Sequence, residues 1–201
     1  MEYLTLERLD RAEYLKPSAF IDFHQEQVAA AAERLAGASS DEIAKVRAAY
    51  EFVRDRIRHS FDCDAATVTC SASAVLREGH GICYAKAHLL AALLRWMGIP
   101  TGFCYQRLLL FDDDPRIVLH GLNAVYLSSL ERWIRLDARG NKTGVNAQFA
   151  IEKEQLAFPV HPESGESDNR VVYAEPNPKT IAALQRSHNL TELLQNLPGE
   201  I

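Results

Sequence analysis

The sequence predicts an α+β fold, and three observations carry that prediction. Apolar residues recur at helical spacing through most of the first half of the chain. Between Thr101 and Asp137 the composition turns to strand formers. Between the two, Glu78 to Pro100 (EGHGICYAKAHLLAALLRWMGIP) reads as one helix, apolar on most sides and broken only by Lys86, His88 and Arg95. A helix of that kind is normally buried at the centre of a domain, with the rest of the chain as its support.

Taken in order, residues 1–22 mix Leu4, Leu6, Tyr14, Leu15, Phe20 and Ile21 with charge, and Pro17 breaks any helix, so a strand or extended arm is expected. The alanine-rich run from His24 to Ala36 is helical and stops at Gly37. Ser39 followed by Glu42 reads as a capping box for the next helix, whose core face is Ile43, Val46, Tyr50, Val53 and Ile57. His59 to Thr69 loses that period and is expected to be a loop. Ser71 or Ser73 caps a short helix through Leu76. Gly79 and Gly81 then form a loop, and the central helix runs from Cys83 until Gly98 and Pro100 end it.

Strands are expected over Thr101–Leu110, Ile117–Leu127 and Trp133–Asp137, the first two separated by the turn-like Asp112-Asp113-Asp114-Pro115. Phe149 to Leu156 has some helical character, Phe158 to Val160 suits a short strand, and 161–170 reads as a mobile polar loop. Val171 to Ala174 is a last strand. Asn177 and Pro178 open a helix, and a leucine-bearing helix ends at Pro198-Gly199. One domain is expected over 1–201: an N-terminal segment 1–38, a core 39–140 and a C-terminal extension 141–201.

With 201 residues, 47% hydrophobic and 24% charged, the chain has enough apolar material for a real core. A formal net charge of −5 argues against nucleic acid as a partner. Arg54, Arg56 and Arg58 alternate with apolar residues like a solvated helix face. No apolar run is long enough for a bilayer, and MEYLTLERLD lacks the pattern of a secretory signal. Four cysteines without a C-x-x-C pair then fit reduced thiols in a cytoplasm. Cytoplasmic localisation with no membrane partner is the expectation; oligomeric state is not legible.

Cys83 falls in the first helical turn, where unpaired N–H groups and the positive dipole end favour a thiolate. A cysteine among alanines and leucines is ordinarily an inert small hydrophobe, so a nucleophile needs a base and a group to orient it. Of seven histidines, His24 and His188 lie in polar, exposed segments, His161 in the mobile loop and His59 at a helix end. His80 sits on a flexible loop without a carboxylate nearby. His88, five positions after Cys83, points roughly 140° away on the same helix. His120 differs, because a hairpin of the last two strands brings it to Asp137. If the two are directly opposite, Leu122 pairs with Arg135, Ala124 with Trp133 and Leu127 with Leu130, leaving Ser128-Ser129 as the turn. Any register in which paired numbers add to an odd value also keeps both side chains on one face.

These residues together resemble the transglutaminase-like superfamily of cysteine enzymes, bacterial type. The likeness rests on Gly81-x-Cys83 with Ala87 four on, the preceding Val75-Leu76 helix, and the Met97-Gly98-Ile99-Pro100 terminator. His120 before Ala124-Val125-Tyr126-Leu127, and Trp133-Ile134-Arg135-Leu136-Asp137, complete it. It spans about residues 40 to 140. Leu122 stands where many members carry an aromatic residue and Ala138 where many carry proline, changes that bear on substrate walls. The resemblance implies a papain-like arrangement, a nucleophile helix packed on an antiparallel sheet that carries base and acid.

The function expected is acyl transfer on amide bonds, peptide or amide hydrolysis or transamidation. Cys83 is the nucleophile, His120 the base, Asp137 its orienter, and the Cys83 backbone N–H an oxyanion donor. Gly81, Tyr84, Gly121 and Leu122 are expected to line the substrate groove, with a peptide or small amide as partner. The alternative is a non-catalytic peptide-binding module of the same fold. No cofactor is expected, and nothing marks a coenzyme A site. Cys63, Cys70, His80 and Cys83 can be drawn as a zinc set, but the gap between the first two cysteines is wider than usual and no metal is expected.

Overall fold

Leu89, Leu90, Leu93 and Leu94 have no exposed surface, and the helix that carries them, Cys83–Trp96, is the centre of the structure. Burying each such side chain stabilises the fold by about 1.5–3 kcal/mol. The structure is a computed structural model that describes residues 4–111 and 114–201. Its helices are α1 (Glu26–Ala36), α2 (Glu42–Arg56), α3 (Ala72–Glu78), α4 (Cys83–Trp96), α5 (Pro178–Arg186) and α6 (Leu190–Asn196). Its strands are β1 (Thr5–Leu6), β2 (Arg58–His59), β3 (His80–Gly81), β4 (Thr101–Phe111), β5 (Asp114–Leu127), β6 (Arg132–Leu136) and β7 (Ser167–Tyr173).

The large sheet has the order β1-β7-β4-β5-β6, antiparallel except where β1 meets β7, so the α+β expectation holds. One face of its centre lies on α4, while α1, α2 and α3 pack on the helix's other sides. Three details hold helix to sheet. The Tyr84 hydroxyl donates to Leu119 O. Buried Asn123 donates to Ala87 O at 3.1 Å and Gly102 O at 3.2 Å. Gly121 faces the Tyr84 ring, where a Cβ would sit only 2.8 Å from Cδ1. The helix's three polar interruptions are buried as well. Arg95, for instance, donates to Lys16 O, Thr101 O and Ala174 O.

Several local expectations are corrected. The cap of α2 is Asp41, whose carboxylate accepts from Ala44 N at 2.7 Å. Glu42, expected to close a capping box with Ser39, instead accepts from Ser128 N, Ser129 N and Ser129 Oγ at 3.0, 2.9 and 2.8 Å. Those contacts bear on the hairpin. The turn is Ser128–Glu131, ending with Glu131 at φ 50, and Leu127 pairs with Arg132. The register therefore lies two residues from the direct pairing expected, with Ala124 opposite Arg135 and Asn123 opposite Leu136. An even shift preserves the face, so His120 and Asp137 become diagonal neighbours.

Ser71, of the two candidates, caps α3. Gly79, at φ 71, ends that helix, but His80-Gly81 is no loop: it pairs in parallel with Arg58-His59. Arg54 lies largely under cover and bonds Ala147 O and Gln148, so only Arg56 keeps the solvated helix face, and Arg58 belongs to β2. Residues 149–156 form no helix, and Gln155 among them makes an isolated bridge to Gln148; 158–160 form no strand. The strand β7 takes up 167–170 of the expected loop, because Gln106 and Arg107 of β4 offer it a pairing edge. Asp112 and Asp113 of the expected turn lie outside the described residues.

Candidate active site

The chain enters the site through Ile82, which caps α4 with extended backbone and no side-chain acceptor. The N–H groups of the first turn are thus left without a side-chain cap, the arrangement that receives an anion. Cys83 opens that turn half-buried with a free thiol. The other environments differ: burial pushes the Cys104 thiol up to about 12, and burial followed by Asp22 does the same for Cys70.

His120 comes from β5, beyond the last residue paired to β6, and is 6% exposed. Its Nε2 lies 2.7 Å from Asp137 Oδ2, and Cys83 is near enough to act on the charge of the imidazole. The Phe158 ring meets the imidazole edge-on, centroids 5.1 Å apart. Asp137, fully buried, follows β6 directly. Its Oδ1 accepts from Arg139 N at 3.1 Å and Oδ2 from Ala157 N at 2.9 Å. Burial opposes charge on both partners. For His120, Asp137 and then Cys83 outweigh burial and lift the pKa to about 10. For Asp137, His120 and the two backbone donors outweigh it and hold the carboxyl below its ordinary value. The three side chains expected from the sequence are therefore in one place.

The four residues expected to line a groove are filled in by the protein itself. A Cβ on Gly81 would meet Ala85 Cβ at 3.1 Å, Thr69 Oγ1 at 3.2 Å and Val75 Cγ2 at 3.4 Å. Tyr84 and Gly121 close on each other between helix and sheet. Leu122 is 1% exposed in a second apolar cluster with Tyr14, Cys104 and Val172. All four positions are buried, with other parts of the chain packed against them.

Other histidines hold structural posts. His80, expected on a flexible loop, is buried between Ser60 Oγ at 3.1 Å and Thr67 Oγ1 at 3.4 Å, and burial lowers its pKa. His88 turns away from the site as expected, its Nδ1 2.7 Å from Cys70 O; burial brings it to about 4. Among the described residues no group of three or more His, Cys, Asp and Glu side chains is placed to hold a metal ion.

Two features went unread in the sequence. Lys86, three residues after Cys83, is fully buried, donates to Ile57 O and lies 3.4 Å from Arg54 O. Burial, then Arg139, brings its pKa down to about 7. It ties the site helix to the C-terminal end of α2, and its position among apolar neighbours was the available signal. The Ala157 N–H on Asp137 left no trace in side-chain chemistry at all.

The family model described as the transglutaminase-like superfamily matches residues 29–138, more than half of the chain. No curated protein matches it in sequence. A crystal structure of a candidate cysteine protease from Cytophaga hutchinsonii is similar at 22% identity with a TM-score of 0.54, covering 66% of this chain and 43% of that one. The periplasmic domain of TgpA from Pseudomonas aeruginosa is similar at 16% identity with a TM-score of 0.48, covering 64% and 46%. The chain thus spans less than half the length of either. No helix among the described residues is long and apolar enough to cross a membrane.

Proposed function

The chain belongs to the transglutaminase-like superfamily, and on that premise we propose that it is a cysteine-nucleophile enzyme transferring acyl groups from amides. The observation that supports this reading is the convergence of the half-buried Cys83 thiol on His120, whose Nε2 is hydrogen-bonded to fully buried Asp137. The Cys83 sulfur attacks the carbonyl carbon of a peptide or small amide. The developing oxyanion is received by the Cys83 N–H in the uncapped first turn of α4. The His120 imidazolium donates its proton to the leaving nitrogen, the C–N bond breaks, and a thioester remains on Cys83. Neutral His120 then takes a proton from water or an amine, whose attack releases the acyl group and restores the thiol–imidazole pair. Asp137 holds the ring's tautomer and orientation through both steps.

Alkylation by iodoacetamide at pH 6.5, followed by intact mass, tests the first step. Cys83 should react faster than free cysteine, whose pKa is about 8.5, and His120→Ala should slow it by about 10²-fold or more. A rate equal to that of free cysteine, unchanged in His120→Ala, would reject the nucleophile. Incubation with a peptide pool decides between enzyme and binding module: the module would return every peptide unchanged.

A further inference from the structure

A cleft of about 250 Å³ opens where the end of α2, strand β2 and the residues after Asp137 meet. It is smaller than the roughly 300–1,000 Å³ of sites for drug-sized ligands, and suits one short polar side chain. One backbone pairing links it to the start of α4: His59, which lines it, pairs with Gly81, two residues before Cys83.

Most of its charges are already satisfied. Asp55 accepts from Arg54 Nε at 2.7 Å and Nη2 at 2.8 Å, and Arg54 Nη1 goes to Ala147 O and Gln148 Oε1. Asp62 accepts from both terminal nitrogens of Arg139 and from Lys142 Nζ. Two lining groups remain. Arg58 is exposed, and its guanidinium has no hydrogen-bond or ion-pair partner among the described residues. His59 Nδ1 is shut off from water with no partner, a costly condition for a polar atom. Burial first, then Arg139 and more weakly Lys86 and His120, against the pull of Asp62, keeps His59 well below its ordinary pKa. Its ring is therefore neutral near pH 7, with one N–H to give.

We infer that this cleft is the subsite for a carboxylate of the substrate, held by the Arg58 guanidinium and by the Nδ1–H of His59 once a turn of the ring brings that atom to the cleft. The inference rests on the proposed chemistry at Cys83, since it names the acyl substrates that chemistry would receive: those with an acidic group near the reacting carbonyl. Both carboxylates of the lining are neutralised by their own cations, so a third is attracted rather than repelled. An apolar or cationic group would leave Arg58 and His59 unanswered.

Binding to the Cys83→Ala protein, followed by the His59 imidazole resonances, tests the subsite without using the thiol. The probes are N-acetylglutamate α-amide, N-acetylglutamine α-amide, N-acetylalanine and inorganic phosphate. One of the two carboxylate probes should bind at least tenfold tighter than the neutral glutamine probe and shift the His59 signals. Whether it is the glutamate or the alanine derivative tells a side-chain carboxylate from a chain terminus. Arg58→Ala should reduce that preference to about onefold, and Arg58→Lys should keep part of it. Affinity of both carboxylate probes no higher than that of the glutamine probe, phosphate binding as tight as the better carboxylate, or unmoved His59 signals would each overturn the subsite. Loss of rapid alkylation at Cys83 would instead overturn the acyl-transfer reading and leave these binding outcomes to stand or fall alone.

Discussion

Replacing Gly121 by alanine puts a methyl group where the structure has none to spare. The new Cβ would lie 2.8 Å from Tyr84 Cδ1 and 3.5 Å from Tyr84 Cα. Carbon atoms prefer about 3.5–4.0 Å, so helix and strand must part by roughly 0.7–1.2 Å at this point. The ring cannot simply swing aside, because Tyr84 is 1% exposed and its hydroxyl is committed to Leu119 O. Overpacking of this kind costs about 1–3 kcal/mol, which urea denaturation would read as a lower midpoint at unchanged slope. Tyr84 adjoins Cys83 and Gly121 adjoins His120, so the same displacement separates sulfur from imidazole. A misplacement near 1 Å costs about 10²-fold in rate, and alkylation of Cys83 should fall accordingly. A Gly121→Ala protein within 0.5 kcal/mol of the parent (roughly the scatter of neutral surface substitutions), and alkylated at the parent rate, would refute the claim that this contact sets the site.

Gly81→Val should lower stability by roughly 1–3 kcal/mol, since its side chain enters space held by Ala85, Thr69 and Val75; a stable variant that loses turnover alone would restore Gly81 to the substrate groove. The pH dependence of stability carries two opposed contributions. His120, lifted to about 10, binds a proton in the folded chain that the unfolded chain releases above about 6.5, so its contribution falls as pH rises from there toward 10. Lys86, lowered to about 7, is neutral in the folded chain while charged when unfolded, so its contribution rises over the same range. Lys86→Met removes the rising part, and stability measured by urea should then fall about 1.4 kcal/mol per pH unit more steeply between pH 7 and 8.5; an unchanged slope would refute the assignment. Glu42→Ala removes three hydrogen bonds from the hairpin turn. These exposed contacts should cost about 1–2 kcal/mol in all, and a larger exchange rate at the Ser128 and Ser129 amides would report it.

Glu42 also shows what the sequence could not tell. Ser39-x-x-Glu42 satisfies the local pattern of a capping box, yet the carboxylate is claimed by a turn far along the chain, and no local rule contains that competitor. The same limit moved the hairpin register by two residues. His120 and Asp137 survived the error because side-chain parity, unlike exact pairing, depends only on odd against even. Helix termini were legible where backbone geometry demands a residue type, as at Gly98 with φ 76 and at Asn177, which accepts from Lys179 N. The close packing at Gly81, Tyr84, Gly121 and Leu122 was not, since the neighbours that press on them come from other elements of the chain.

The acid of the site has a partner delivered late. Ala157 N–H reaches Asp137 Oδ2 only after the chain has passed through a stretch of irregular structure whose residues 152–155 are exposed. A protease cutting there would spare the α4–sheet core, which takes none of its packed leucines from that stretch. It would still release one of the donors that keep Asp137 ionised, and loosen Phe158 from the imidazole. The nicked protein would unfold at nearly the old urea concentration while its thiol lost reactivity, so that an intact fold and an armed site would depend on different parts of one chain.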